Sequence, residues 1–452
     1  MRYVVRRAGS FRGAGAARCG AVVLAGAVVL AGAACGKKKR QVRTGDAAPV
    51  ELVSVAALSD AGVGKPGEAE EREPNDGADV ATPLLPGGGA RGRIEPDTDT
   101  DYYRIDVAEG GGLAVQLAAV TGVDLTLEIE DAGGTALARS DRGAAGVGEG
   151  VPNLGVTPGR YTAIVRKKAV PAKKPPRPRR GAPAPAPEPP PPAPLYQITA
   201  QVAPFARGAE REPDDDRGTA NDLIVGDTVT GYVGWTGDVD VWKLSVEALT
   251  AKNVVDLEVG AVDGVVFTVE VADGIGQSLV VRKGPRGAGL VIRGLAPAVA
   301  AGAPPFHYVT VRADRSNPEV AYQLKVTGRG LGTDPELEPN DTPDKAMEIP
   351  SERTVISEAS WTPGDVDCFA IPADAGARTL EISVDTPAEA DLRLELFVGG
   401  KSVATADAKG KGTAEKISGP VPGGGRAVVC VRGSEASQEG KYSLSYQEGP
   451  AK

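Results

Sequence analysis

The sequence predicts an all-β fold: three tandem jelly-roll-like β-sandwich domains that follow a signal peptide and a flexible tether. Three observations support this prediction: a pair of acidic phrases that recurs three times, apolar residues that alternate with a period of two, and a composition rich in turn residues. The 452 residues include 60 Gly and 37 Pro, whereas aromatic residues make up only 4%. This composition is typical of short strands joined by turns. A chain of this length also needs more than one hydrophobic core.

The first 35 residues have the features of an export signal. Five arginines and the apolar run Ala21–Ala34 precede Cys35, with no acidic residue among them. The run is short for a membrane-spanning helix. The small residues directly before Cys35 resemble the lipobox of bacterial lipoproteins, which implies lipidation of Cys35 and a membrane anchor. Gly32 departs from that pattern, because Leu or Val is usual there, and ordinary signal-peptidase cleavage is the alternative.

The charge of the remaining chain is strongly acidic. Removing residues 1–35 leaves 46 basic and 60 acidic residues, a formal charge of −14. Basic residues concentrate in two stretches, Lys37–Arg43 and Lys167–Arg180. The folded part is therefore acidic, which excludes nucleic acid as the main partner. Apolar residues show no regular spacing over residues 36–67, and we expect this segment to form the flexible tether.

Two acidic phrases recur together three times. The first phrase contains Glu, Glu, Pro, Asn or Asp, and Asp, and occurs at Glu71–Asp76, Glu210–Asp215 and Glu336–Asp341. The second is Asp-x-Asp at the head of an apolar segment, at Asp99–Asp101, Asp238–Asp240 and Asp365–Asp367. The first Glu and the first Asp are 28, 28 and 29 residues apart. A spacing kept three times indicates a tandem repeat, with units at 68–203, 208–328 and 334–448.

Strands are expected throughout each unit. Apolar residues alternate directly after the second phrase, for example at Tyr103, Ile105 and Val107, as they do in half-buried strands. Each unit ends with two further strands, and the last of them begins at Tyr196, Tyr322 or Tyr442. A proline-rich, basic loop, 167–194, interrupts these final strands in the first unit. It is either a solvated insertion or a contact with an acidic envelope surface.

The repeated phrases and the late Tyr-x-Leu-x-Val strand resemble the bacterial pre-peptidase C-terminal (PPC) domain family. That family is similar to the collagen-binding domains of secreted bacterial collagenases. The resemblance covers most of residues 68–448 and is weaker in the second unit, which has Asp214 for Asn and Val241 for an aromatic residue. It implies jelly-roll sandwiches that accompany secreted enzymes and are themselves not catalysts.

Calcium is the cofactor that we expect at the acidic phrases. Alternate residues of an extended segment point the same way, so the donors of each unit can converge if the first phrase folds back on the strand, and calcium takes six to eight oxygen ligands. The resemblance to the collagen-binding domains implies the same ligands in the first and third units. The expected ligands are Glu71, Glu73, Asn75, Asp99 and Asp101; Glu210, Glu212, Asp214, Asp238 and Asp240; and Glu336, Glu338, Asn340, Asp365 and Asp367.

The acidic phrases are also compatible with a role that needs no calcium. The sequence Glu-Pro-Asn-Asp favours a turn. The alternative is therefore that the phrases only fix the linker to the sheet and bind no metal. Clustered carboxylates repel one another without a counter-ion, which favours either a cation or an arginine partner such as Arg72 or Arg211.

The cysteine count agrees with an oxidising compartment. Cys19 lies in the signal peptide and Cys35 is the candidate lipid acceptor, so Cys368 and Cys430 remain as a pair. We expect a disulfide between them, with two buried thiols as the alternative.

Catalysis is not expected. The chain has a single histidine, His307, in a predicted strand, and it has no G-x-S-x-G motif. Paired carboxylates alone leave a glycan-active enzyme as a remote alternative.

The expected function is that of a non-catalytic cell-envelope lipoprotein whose modules bind a protein or a polysaccharide. Its expected location is a membrane, most simply the outer membrane, facing the periplasm or the cell surface. The alternative is an accessory or scaffold factor for a separately encoded secreted peptidase or transporter. The sequence does not indicate an oligomeric state.

Overall fold

A computed structural model describes residues 68–143, 145–168, 193–297, 299, 302–331, 336–350, 355–434 and 439–451. These residues form β-strands and no helix, which confirms the all-β prediction. Consequently, no helix of the described part could cross a membrane. The expected signal peptide with Cys35, the tether 36–67 and residues 169–192 of the proline-rich loop lie outside the described residues.

The strands fall into three successive sets along the chain, which we call the first, second and third sheet pairs. The first contains β1 (Glu68–Glu70), β2 (Thr82–Pro83), β3 (Gly88–Gly92), β4 (Thr100–Val107), β5 (Gly111–Leu117), β6 (Leu125–Glu130), β7 (Ala136–Ser140), β8 (Glu149–Val156), β9 (Gly159–Lys167) and β10 (Tyr196–Ala203). The second contains β11 (Asn221–Ile224), β12 (Thr228–Val233), β13 (Val239–Ser245), β14 (Asn253–Val259), β15 (Phe267–Asp273), β16 (Ser278–Lys283), β17 (Leu290–Leu295), β18 (Phe306–Ala313) and β19 (Asn317–Gly330). The third contains β20 (Met347–Glu348), β21 (Val355–Trp361), β22 (Val366–Ile371), β23 (Arg378–Asp385), β24 (Leu392–Val398), β25 (Lys401–Ala406), β26 (Glu415–Val421), β27 (Ala427–Gly433) and β28 (Gly440–Pro450).

One strand order recurs in all three sheet pairs. The sheet that carries the second acidic phrase is ordered β2-β4-β9-β6-β7, β11-β13-β18-β15-β16 and β20-β22-β27-β24-β25. The facing sheet is ordered β3-β10-β5-β8, β12-β19-β14-β17 and β21-β28-β23-β26, and β1 extends it in the first pair. The recurring phrases therefore occupy the same place in a recurring topology.

Each sheet pair is a β-sandwich around one hydrophobic cluster. In the first, Tyr103 and Ile105 of β4 and Leu113 of β5 are fully buried in the same cluster, although the two strands belong to different sheets. Period-two alternation thus buries one face of each sheet, as the sequence predicts. Strand β22 departs from alternation, because Cys368 and Ala370 on its other face are buried in a satellite cluster.

Cys368 and Cys430 are directly opposite each other in the antiparallel strands β22 and β27, and a disulfide joins them. The bond closes a segment with a sequence separation of 62 residues and lies in the satellite cluster.

Candidate metal sites

The first acidic phrase folds back onto the strand that follows the second phrase. The carbonyl oxygen of Asn75 accepts a hydrogen bond from the backbone N–H of Tyr102 at 3.1 Å. Val241 donates to Asp214 in the same way at 3.2 Å, and Cys368 donates to Asn340 at 3.1 Å. The linker into each sheet pair is therefore fixed to β4, β13 or β22, which places the two phrases side by side.

The expected ligands lie at three places in the fold, which we call the first, second and third acidic clusters. Within each of the following sets, one ligand oxygen per residue lies within 4.8 Å of the others. The sets are Glu71, Glu73 and Asp101, and Glu73, Asp76 and Asp99, in the first cluster; Glu210, Glu212, Asp214 and Asp240 in the second; and Glu336, Glu338, Asp365 and Asp367 in the third. Asp238 lies beside the second cluster but outside its convergent set, and its Oδ2 accepts a hydrogen bond from the backbone N–H of Gly234. Asp76 is a candidate that the sequence-based ligand set missed, although it belongs to the repeated phrase.

Backbone groups orient the glutamates of the clusters. The second Glu of each phrase accepts a hydrogen bond from the backbone N–H two residues later, at 3.0 Å for Glu73 and 2.8 Å for both Glu212 and Glu338. In the first and second clusters, the first Glu also accepts a backbone hydrogen bond. Arg93, directly after β3, donates to Glu71 at 2.7 Å, and Tyr232 of β12 donates to Glu210 at 2.9 Å. Each of these bonds engages one oxygen of its carboxylate. The other oxygen of Glu212 has no hydrogen-bond partner among the described residues, whereas that of Glu338 contacts Arg282.

A buried tyrosine completes each cluster, and the sequence-based ligand set does not include it. Tyr196 donates its hydroxyl to Oδ2 of Asp101, and Tyr442 donates to Oδ2 of Asp367 at 2.6 Å. The hydroxyl of Tyr322 lies 3.5 Å from Oε1 of Glu210. The recurring tyrosine of the last strand is the sequence signal that marks this position.

The tyrosine ring needs a small residue opposite it. Gly92 pairs with Tyr196, Gly231 with Tyr322, and Ala359 with Tyr442. A Cβ atom at Gly231 would lie 2.5 Å from the tyrosine hydroxyl and 2.6 Å from Oε1 of Glu210. Glycine at this position therefore lets the ring and the carboxylate approach the backbone closely.

Two buried oxygens recur without a hydrogen bond in all three clusters. They are Oδ1 of the Asn or Asp in the first phrase (Asn75, Asp214, Asn340) and Oδ1 of the second Asp in the second phrase (Asp101, Asp240, Asp367). All six residues are buried, each with a relative exposure of 0%. No described residue donates to these oxygens, and buried acceptors are rarely left unpaired. The same two oxygens are therefore buried and unpaired at the same place in each cluster.

The electrostatics of the second cluster favour a bound cation. Burial, reinforced by the neighbouring carboxylates, raises the pKa of Glu212 to about 11 and that of Asp238 to about 8. Burial likewise raises the pKa of Asp240 well above its usual range. No Lys or Arg in the described ranges forms a salt bridge with the carboxylates of the first or second cluster. Positive charge supplied from outside would relieve this repulsion.

The third cluster contains an arginine from the second sheet pair. Arg282 of β16 forms salt bridges with Glu338, Asp341 and Asp365. The expectation of an arginine partner thus holds for one cluster. The prediction that Arg72 or Arg211 has this role is wrong. Both are exposed, and the Arg211 guanidinium lies 5.7 Å from the ring centroid of Phe205.

Exposure differs between the clusters. Glu73 is exposed and Glu71 and Asp99 are half-buried in the first cluster, whereas the five expected ligands of the second are all buried. The second cluster is more enclosed because the first sheet pair covers it. Asn153 of β8 donates a side-chain hydrogen bond to Glu210, and Gly155 donates its N–H to the carbonyl oxygen of Glu212 at 2.6 Å.

The chain matches no family model, and no curated protein is similar to it. Similar solved structures include the pre-peptidase C-terminal domain of collagenase from Bacillus anthracis, which is 14% identical over 27% of this chain and 94% of that one, with a TM-score of 0.19. A protein from Eubacterium rectale described as secreted is 9% identical over 56% of this chain and 80% of that one, with a TM-score of 0.18. Values this low identify neither a family nor a function.

Proposed function

We propose that this protein is a non-catalytic binding lipoprotein of the cell envelope, built from three tandem β-sandwich domains of PPC type and stabilised by calcium. The observation that carries the proposal is the acidic cluster at the same place in each sheet pair, with two buried oxygens that no described residue satisfies. Such clusters fix the entry linker of each sandwich and are suited to stiffening a chain of modules.

Calcium fits the donor set better than a transition metal does. The clusters offer carboxylate oxygens, joined by the amide oxygen of Asn75 in the first and of Asn340 in the third, and no sulfur or imidazole among their described members. Calcium prefers hard oxygen donors, whereas zinc usually has nitrogen or sulfur ligands. The backbone hydrogen bonds that orient the glutamates pre-organise part of this set.

A non-catalytic role is consistent with the position of the single histidine. His307 has a relative exposure of 0% in β18, and its two ring nitrogens have no hydrogen-bond partner among the described residues. Burial lowers its pKa and keeps the ring neutral. A residue in this position is a core residue and cannot reach a substrate as an acid or base.

The envelope location and the binding role rest on the sequence. The export signal and Cys35 imply a membrane anchor, and the partner that we propose is an envelope protein or polysaccharide. An accessory role beside a separately encoded secreted enzyme or transporter is the second candidate. Cross-linking in intact envelopes separates the two, because capture of a polymer or surface ligand supports the first and one stoichiometric enzyme or transporter supports the second.

Calcium titration of the full mature chain by calorimetry tests the metal part of the proposal. We expect saturable binding that is reduced in Asp240→Asn. The matched control is Asp222→Asn, because Asp222 is an exposed aspartate of the same sheet, outside the cluster. No heat of binding in the wild type, or equal binding by both variants and the wild type, would contradict the proposal.

A further inference from the structure

Arg282 reaches the third acidic cluster from a neighbouring sheet pair. It lies in β16 at the edge of its sheet, yet its side chain is only 2% exposed, because the third sheet pair covers it. Its Nη2 contacts Oε1 of Glu338 and Oδ1 of Asp365, and its Nη1 contacts Oδ1 of Asp341.

The carboxylates that Arg282 binds correspond to candidate cation ligands of the first cluster. The corresponding residues of the first cluster are Glu73, Asp76 and Asp99, which form one of its possible cation groups. A guanidinium in this position supplies one positive charge and several N–H donors to oxygens that would otherwise face a metal ion.

Among the residues that the structure describes, none of the arginines of the first sheet pair forms such a salt bridge with the second cluster. Arg282 pairs with Val269 of β15. The corresponding residue pair in the first sheet pair is Ser140 and Leu127. The Ser140 hydroxyl donates to Glu149 at 2.6 Å instead of reaching the second cluster.

We infer that Arg282 takes the place of a divalent cation in the third acidic cluster, so that this chain binds cations at its first and second clusters and not at its third. The inference rests on the proposed calcium binding. A divalent cation that used Glu338 and Asp365 would have to displace a buried guanidinium, and two positive species in one small site repel each other. The contact between the second and third sheet pairs is then independent of the calcium concentration.

The charge balance of Arg282 supports the assignment. Three carboxylates, those of Asp365, Glu338 and Asp341, surround this one guanidinium. An arginine side chain stays protonated in proteins, as a permanent counter-ion must.

The test is the number of calcium ions bound by the full mature chain, measured by equilibrium dialysis. We expect Arg282→Ser, which introduces the residue found at the corresponding position of the first sheet pair, to bind one more ion than the wild type. Asp367→Asn leaves the wild-type number unchanged but removes the additional ion from Arg282→Ser. The control is Arg312→Ser, because Arg312 is an arginine of the same sheet with an exposed salt bridge to Glu270.

Arg282→Ser leaves buried carboxylates without their counter-ion, so its thermal midpoint provides a second measurement. We expect calcium to raise the midpoint of Arg282→Ser by more than that of the wild type, whereas Arg282→Lys, which keeps the charge, responds as the wild type does. An equal rise in Arg282→Ser and the wild type would overturn the inference.

The two proposals fail in different ways. The role of Arg282 is overturned if Asp367→Asn removes an ion from the wild type. It is also overturned if Arg282→Ser gains no ion while the wild type binds calcium at Asp101 and Asp240. Both results leave the proposed function intact. The opposite result is a wild type that binds no calcium while Arg282→Ser binds one ion. This result overturns the proposed function and supports the role of Arg282.

Discussion

The hydroxyl of Tyr442 lies 2.6 Å from Oδ2 of Asp367, and this hydrogen bond joins the two facing sheets of the third sandwich. Tyr196 and Asp101 make the same contact in the first sandwich. The acidic clusters are thus fixed on one side by a linker that folds back and on the other by a core tyrosine. Cluster geometry and sandwich packing are therefore coupled.

Tyr442→Phe is expected to destabilise the metal-free protein. The substitution removes the donor to Oδ2 of Asp367, whose Oδ1 already has no described partner. Loss of a partner for a buried polar group costs about 1–3 kcal/mol. Urea unfolding in chelator should show this loss, while Tyr102→Phe, at a half-buried tyrosine outside the cluster contacts, should change little. Equal effects of the two substitutions would show that the hydroxyl of Tyr442 has no special role.

Gly231→Ala is expected to disturb the second cluster. The added Cβ would lie 2.5 Å from the Tyr322 hydroxyl, so the ring and Glu210 must move. Overpacking of this kind costs roughly 1–3 kcal/mol, and it should weaken calcium binding as well. Gly330→Ala is the control, because nothing lies within 4 Å of a Cβ at that position. A Gly231→Ala protein with wild-type stability and calcium affinity would contradict the close packing.

The metal-free protein should lose stability as the pH rises from 6.5 to 8.5. Burial raises the pKa of Asp214 to about 7 and that of Asp238 to about 8, whereas unfolded aspartates titrate near pH 3.9. The folded state therefore holds protons that the unfolded state has released, so the free energy of unfolding falls with rising pH until the folded state has lost them as well. His307, whose pKa is lowered, acts in the opposite direction only below about pH 6.5.

Thermal midpoints at the two pH values, in chelator and in calcium, check this dependence. Calcium should reduce the loss, because it compensates the charge that deprotonation creates. Asp238→Asn should flatten the chelator profile. A midpoint that rises with pH in chelator would mean that the clusters do not retain protons when they lack metal.

Removing the disulfide should destabilise the third sandwich. The bond between Cys368 and Cys430 closes a segment with a sequence separation of 62 residues, and the loss of such a constraint costs about 4 kcal/mol in the chain-entropy description. The double variant Cys368→Ala and Cys430→Ala should lower the midpoint, and a reductant should lower that of the wild type but not of the variant. A midpoint of the oxidised wild type equal to that of the variant would show that the bond contributes nothing.

Local pattern and spacing predicted the strand that follows each second phrase, the closing strands of each unit and the residues of the acidic clusters. Period-two alternation identified β4, β13 and β22, and the repeated phrases identified residues that the structure brings together. Arg282 could not be found in this way, because its partners Glu338 and Asp365 are 56 and 83 residues away in the next sheet pair. The tyrosine contacts depend in the same way on how the two sheets face each other, which no local pattern encodes.

The most direct test of the calcium proposal is the thermal midpoint of the full mature chain with calcium and with chelator. We expect calcium to raise the midpoint, because a ligand that binds only the folded state stabilises it in proportion to the logarithm of its concentration. Asp240→Asn should reduce that rise, and Asp222→Asn should keep it. An identical midpoint of the wild type in calcium and in chelator would contradict the calcium sites.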